Sequence, residues 1–255
     1  MSMPERSRFK KDEKKKEGFL EIIRTVVYAV LIAVVIRTVA YEPFSIPSES
    51  MLPTLLVGDY LFVSKYTYGY SRHSLPFSPK VYSGRILESP AERGDVVVFK
   101  LPRDNSTDYI KRIVGLPGDR IQVEGGLLYI NGEQVKRERV EDFIGTDRRG
   151  SPYRVPRYRE TLPNGVEHFT LDLIGNSDTD NTDEFVVPPD HYFMMGDNRD
   201  NSIDSRVPVR RGGVGFVPAE NLVGRAEILF FSKEDRALPW EVWNWRFGRF
   251  LNSID

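Results

Sequence analysis

The sequence predicts a mostly β protein, folded antiparallel sheets with an inserted smaller β subdomain, preceded by one N-terminal transmembrane helix. Three observations predict it. A single apolar run occupies residues 19–40, and behind it come short runs rich in Val, Ile, Tyr and Phe, each closed by Gly, Pro, Asn or Asp. A more polar stretch, 136–184, interrupts those runs and reads as the inserted region.

At 255 residues, 40% hydrophobic and 29% charged, the chain is long enough for one large or two modest domains with a buried core. The net charge of -1 hides a polarity: residues 1–18 carry seven Lys/Arg against four Asp/Glu, whereas residues 41–255 carry 27 against 32. The body is therefore no nucleic-acid binder by bulk charge. With no cysteine, disulfides, thiol catalysis and cysteine zinc sites are excluded.

Residues 1–18 read as a basic, solvated arm without structure. Phe19 to Ala40 is 22 residues, which as a helix spans about 33 Å, roughly one hydrocarbon core. Only Thr25 to Ile36 is continuously uncharged, and Thr38-Val39-Ala40 resembles a small-residue cleavage site, so a cleaved signal peptide is the alternative. A retained anchor over 19–41 is preferred, because Arg24 and Arg37 can snorkel to opposite interfaces. Basic residues near an apolar span stay on the cytoplasmic side, so the arm is expected inside and the remaining chain outside the inner membrane.

Pro47-Ser48-Glu49-Ser50-Met51-Leu52-Pro53-Thr54 follows about ten residues after the anchor. Two serines between prolines most simply mark a turn. On a tether of nine residues from Tyr41, which reaches at most about 30 Å, they also make Ser50 a candidate nucleophile held near the bilayer surface.

Gly58-Asp59 then turns the chain into the strand Tyr60–Val63, and residues 66–92 read as a long loop containing His73. Arg93-Gly94-Asp95 turns into the clearest strand, Val96–Phe99. The next strand runs from Asp108 to Gly115 and closes on Leu116-Pro117-Gly118-Asp119. Period-2 alternation puts Tyr109, Lys111 and Ile113 on one face and Ile110, Arg112 and Val114 on the other. Lys111 is either a solvated edge lysine or one dried by its neighbours until its amine is neutral, which takes a fall of roughly three pKa units.

Residues 121–135 form a hairpin with Asn131-Gly132 as turn, and 185–196 return to a strand that runs into the polar block Asp197–Arg206. Ile228–Phe231 is the last strand, and 233–255 is a Trp-rich tail whose tryptophans pack on the barrel or touch the membrane interface. His73, His168 and His191 show no metal spacing and read as surface or loop residues, so no metal or cofactor is expected.

Four of these stretches together resemble type I signal peptidases, the bacterial leader peptidases. They are the Ser50 stretch with Gly58-Asp59, Arg93-Gly94-Asp95-Val96-Val97, the Lys111 strand with its Gly-x-Pro-Gly-Asp turn, and Gly196-Asp197-Asn198-Arg199-Asp200-Asn201-Ser202 through Arg206. They occur in the order and spacing of that family and cover roughly residues 41–230. The resemblance implies a serine endopeptidase in which Ser50 is the nucleophile and Lys111 the general base, a Ser-Lys dyad. It implies that Ser48 and the backbone N–H of Ser50 form the oxyanion hole and that Ser202 orients the Lys111 amine. It further implies that Asp197 pairs with Arg112 and Asp204 with Arg206. Because Arg112 faces away from Lys111, its carboxylate partner is not expected to raise the pKa of the base directly. Glu49 stands where many members carry glycine. Residues 42–135 and 185–232 become the catalytic β core and 136–184 the inserted subdomain. The implied substrates are preproteins presenting an Ala-x-Ala cleavage site at the membrane surface, with membrane lipid as a second partner.

Other chemistries fit less well. Ser-x-x-Lys occurs only at Ser7 to Lys10, inside the basic arm. A different class, a membrane-anchored β domain that scaffolds partners without catalysis, predicts that Ser50→Ala leaves function intact.

Overall fold

The computed structural model describes residues 6–76, 78–146, 151–173, 175, 177–235 and 237–254. The chain opens with a helix, Arg6–Val39. The arm was expected to be unstructured, but the helix extends back through residues 6–18, while residues 1–5 lie outside the described residues. Lys, Arg and Glu are good helix formers, and lengthening an existing helix adds one hydrogen bond per residue fixed. Phe19–Val39 is long and apolar enough to cross a membrane, and none of it is buried inside the protein.

The body is antiparallel β structure, as the turn-punctuated runs predicted. Its main sheet has seven strands in the order Tyr41–Ser45, Asp59–Ser64, Leu222–Ser232, Val96–Lys100, Asp108–Gly115, His191–Met195 and Val217–Pro218. The long Leu222–Ser232 strand lies between the Asp59–Ser64 and Val96–Lys100 strands, and its register shifts against both. Such bulges bend a strand and increase its twist, which curls the sheet. The 185–196 run is split into Phe185–Val186 and His191–Met195. Pro188 and Pro189 stand between them and have no N–H to donate to a ladder.

The Arg120–Glu124 and Leu127–Ile130 strands join Phe185–Val186 and Glu133–Gln134 in a four-stranded sheet rather than extending the main one. Asn131 and Gly132 both have positive φ, as their turn requires. The polar stretch supplies a three-stranded sheet, Lys136–Arg139, Arg157–Thr161 and Glu167–Leu171, and the hairpin Phe143–Thr146/Pro152–Val155. This region packs on the rest of the body: Val155 and Leu171 are buried against Leu52, two residues past Ser50. The 66–92 loop carries only short elements, among them the paired strands Tyr70–Ser71 and Arg85–Ile86.

The alternation of the Lys111 strand holds. Tyr109 and Ile113 pack in one apolar cluster with Val97, Phe99 and Met194, whereas Ile110 joins a second with Met51, Leu55 and Val63, and Val114 a third with Ile121 and Phe193. The histidine expectation fails for His168, which lies in a strand, and for His73 in its surface reading alone, since His73 does fall in the 66–92 loop. His73 and His168 are buried, and burial reinforced by nearby guanidinium groups, Arg72 at the first and Arg112 at the second, lowers both pKa values, that of His73 to about 4.

The tail divides. Trp245 bridges Lys233 and sits edge-on to Phe231 at 4.9 Å, while Trp240 and Trp243 stay 69% and 78% exposed. Arg249 Nη2 donates to the carboxylate of Asp59 at 2.6 Å, tying the tail to the second strand of the sheet. Asp59, a turn residue by sequence, is fully buried and also accepts from Ser232 Oγ and the backbone of Leu56.

Candidate active site

The Ser50 loop directly follows Tyr41–Ser45, with Ser50 five residues past its end, and the anchor helix leads straight into that strand. Two apolar side chains fix it: Met51 and Leu55 are wholly buried in one core cluster, and Leu55 N donates to Met51 O at 2.9 Å. The hydroxyl they position is nearly closed off, with Ser50 8% exposed. Ser48 lies on the exposed side, its Oγ 3.4 Å from Ser50 Oγ.

Lys111 sits opposite Val97 in the centre of the sheet and is 3% exposed. Its Nζ lies 2.7 Å from Ser50 Oγ and 2.9 Å from the carbonyl of Ile110. The edge-lysine reading therefore fails. Burial lowers the amine's pKa to about 8, against the opposing pull of Asp204 and then Asp197, and with a smaller push in the same direction as burial from Arg206. The expectation that the partner of Arg112 does not act on the base is thus corrected. Arg112 does leave from the opposite face, but at this burial the Asp197 charge is felt through the strand.

Arg112 is fully buried and binds Asp197 with two bonds, Nε to Oδ1 and Nη2 to Oδ2, both 2.9 Å. Its Nη1 donates to Gly94 O at 2.7 Å. Burial alone would raise the Asp197 carboxyl, but Arg112, with help from Thr54, holds it below the usual range. Asp204 and Arg206 form a second buried bidentate pair at 2.9 and 2.8 Å, and Gly196 N donates to Asp204. Here too the guanidinium overcomes burial and keeps the carboxyl low.

Ser202 does not bond the Lys111 amine. Its buried Oγ lies beside the Asp204 carboxylate and helps to hold that carboxyl low, while the amine is turned to Ser50 and Ile110 instead. Ser202 nonetheless belongs to the site. A Cβ on Gly196 would fall 2.2 Å from Ser202 Oγ and 2.5 Å from Ser50 O, so the two serines close on one glycine.

Sequence reasoning missed several participants. Thr54 Oγ1 donates to Asp197 Oδ2 at 2.6 Å, so both ends of the Ser50 loop are tied to the polar block. Asn198 N donates to Ser50 O at 3.1 Å. Arg199 pairs with the buried Glu160 of the inserted region, and Arg206 Nη1 reaches Thr179 Oγ1 at 3.1 Å. Thr54 was within the stretch singled out; Glu160 carried no local signal. No group of side chains that could hold a metal ion occurs among the described residues.

A family model described as signal peptidase, peptidase S26, matches residues 19–231. Signal peptidase I of Rickettsia typhi is 45% identical over 213 residues, covering 80% of this chain and 77% of that protein. That of Rickettsia massiliae is 44% identical over 214 residues, covering 81% and 77%. A solved signal peptidase I from Enterococcus faecalis is 24% identical with a TM-score of 0.31, covering 54% of this chain and 97% of the other. A β fold behind an apolar helix, matched by a peptidase model over most of its length, makes the chain a membrane-anchored peptidase. It belongs to the signal peptidase family, peptidase S26.

Proposed function

We propose that this chain removes signal peptides from exported preproteins by a Ser50–Lys111 dyad. The observation that carries the reading is the 2.7 Å approach of a buried lysine amine, its pKa lowered to about 8, to the hydroxyl of Ser50. In its neutral form Lys111 accepts the Ser50 proton as Ser50 Oγ attacks the scissile carbonyl. The oxyanion takes hydrogen bonds from Ser48 Oγ and the N–H of Ser50. Lys111 then passes the proton to the leaving amine. A water, deprotonated by the same amine, hydrolyses the acyl-enzyme. The Arg112–Asp197 and Arg206–Asp204 pairs brace the loop behind Ser50, and Ser202 steadies the amine once substrate displaces water from the site.

The substrate side chains before the cut are small, in an Ala-x-Ala pattern, and the scissile bond is presented at the bilayer. The basic N-terminal arm is cytoplasmic and the β body lies on the outer face of the inner membrane. A ladder of rings supports a lipid contact. Tyr41, in the strand that follows the anchor, meets Phe62 at 6.3 Å, and Phe62 stacks on Phe230 at 4.3 Å. Tyr60 lies 6.2 Å from Phe230 and 5.5 Å from Phe231, which meets Trp245 at 4.9 Å. This ladder runs from the strand after the anchor to Trp245, two and five residues beyond the exposed Trp243 and Trp240, and Trp and Tyr are the residue types favoured at headgroup depth.

The test is cleavage of a purified preprotein with an Ala-x-Ala site by wild type, Ser50→Ala and Lys111→Ala in detergent. Cleavage after the second Ala by wild type, with both variants folded and inactive, is expected. Cleavage by Ser50→Ala overturns the assignment of the nucleophile, and a wild type that cuts no preprotein favours a scaffold.

A further inference from the structure

We propose that Glu49 sets specificity at this site: its carboxylate favours preproteins whose first residue after the cut is basic over those in which it is acidic. The inference rests on Ser50 being the nucleophile and Ala-x-Ala the cleavage pattern. Glu49 is the residue between the two serines, so its backbone links both proposed oxyanion donors. It is exposed, whereas Ser50 and Met51 on its C-terminal side are buried. The mouth of the site therefore carries a carboxylate.

That carboxylate is held. Asn201 Nδ2 donates to Glu49 Oε2 at 3.1 Å, and Asn198 Nδ2 donates to Glu49 O at 3.0 Å. Both asparagines come from the block that also holds Ser50 O through Asn198 N, so the loop with the nucleophile and the loop with its braces meet at Glu49. Fixing a long side chain in advance removes an entropy cost that substrate binding would otherwise bear. The amide donors are neutral, and the hydrogen bonds to Glu49 described here bring no cation to it. Its charge is left to act on whatever occupies the cleft.

The two Ala positions before the cut carry no charge and cannot respond. Of the positions that the Ala pockets leave free, the middle residue x and the first residue after the cut, only the latter is bonded directly to the reacting carbonyl. A unit charge several ångströms away in a partly wet cleft changes an equilibrium about threefold, and exchanging Asp for Lys changes the sign as well, giving on the order of tenfold.

The experiment uses the full chain in detergent with two preproteins that differ only in Lys or Asp at the first position after the cut, mixed so that they compete. The Lys/Asp ratio of kcat/KM is read, which cancels any general change in turnover. In wild type the ratio is expected near tenfold at low salt and to collapse in about 1 M salt, where the screening length is near 3 Å. Glu49→Gln, which keeps the shape and an acceptor for Asn201, is expected to bring the ratio close to one, and Glu49→Lys to invert it. A Glu49→Gln ratio equal to that of wild type overturns the inference, as does loss of all cleavage in both variants, which would make Glu49 a builder of the loop. A wild type that cuts both preproteins without preference overturns this inference alone. A wild type that cuts neither overturns the peptidase reading and this inference with it.

Discussion

The Lys111 amine lies 2.7 Å from the Ser50 hydroxyl across 61 positions of sequence, one group from the middle of a sheet and the other from a loop. Each is buried by a different apolar cluster, Tyr109 and Ile113 beside the lysine and Met51 and Leu55 beside the serine. The contact is therefore a product of the whole body closing, and the same closure dries the amine.

Activity should follow the neutral amine. With a Lys111 pKa of about 8, kcat/KM is expected to fall about tenfold per pH unit below that value and to level off above it. Stability carries the matching sign. The folded pKa lies below the unfolded value of about 10.4, so the unfolded chain binds more protons between the two and stability rises with pH across that window. Lys111→Met removes the buried charge and should be inactive, yet at pH 7 more stable than wild type by about 1–3 kcal/mol. A pH–rate profile and denaturant unfolding of the variant check both.

Asp197→Asn is expected to be among the most destabilising single changes, about 3–5 kcal/mol, because it strands the fully buried Arg112. The Asp197 carboxyl is held below its ordinary range, so its stabilisation is complete above about pH 4 and is lost as pH falls through the lowered folded pKa. Unfolding midpoints of wild type and variant should keep a constant gap from pH 7 to about pH 4 and begin to converge only below it.

What was legible in the sequence was local. Alternation along Asp108–Gly115 separated Lys111 from Arg112 correctly, since a strand fixes side-chain direction by parity alone. Asp204 and Arg206 are two residues apart, and their pair needs no long-range closure. Arg112–Asp197, 85 positions apart, came only through resemblance. Thr54–Asp197 spans 143 positions and Arg199–Glu160 joins the polar block to the inserted region, and neither leaves a periodic trace. Burial of His73 and His168 was missed for the same reason: a loop or strand residue becomes core only when a distant segment covers it.

Gly196→Ala should cost activity out of proportion to stability. The added methyl meets Ser202 at both Oγ and Cβ, and also Ser50 O, a backbone atom of the nucleophile loop held by Asn198 N. The loop must shift, and displacement of a nucleophile by a few tenths of an ångström is felt in the rate before it is felt in folding. A drop in kcat of at least a hundredfold with a stability change of about 1–2 kcal/mol is expected, from parallel kinetics and thermal unfolding.

Ser202→Ala offers a sharper separation. Its buried Oγ supports the Asp204 carboxylate, which Arg206 and Gly196 N still hold when it is removed, so the cost in stability should be no more than about 1 kcal/mol. If Ser202 steadies the amine during turnover, kcat falls at least tenfold while KM is little changed. Unchanged kcat would leave the amine positioned by Ile110 O and Ser50 alone.

The exposed tryptophans make the lipid contact measurable. Trp245 packs on Phe231 and serves as an internal reference, while Trp240 and Trp243, a few residues before it, are exposed. In vesicles whose acyl chains carry bromine near the headgroups, fluorescence of the full-length protein should be quenched. Trp240→Ser with Trp243→Ser should remove most of that quenching, since the remaining ring is half-buried and packed against Phe231. Arg249 and Asp59 still tie the tail to the sheet in that double variant, so a loss of quenching reports contact with lipid and not a released tail. Equal fractional quenching before and after the substitutions would mean that the Trp240 and Trp243 face stands clear of the bilayer and that the anchor alone holds the body there.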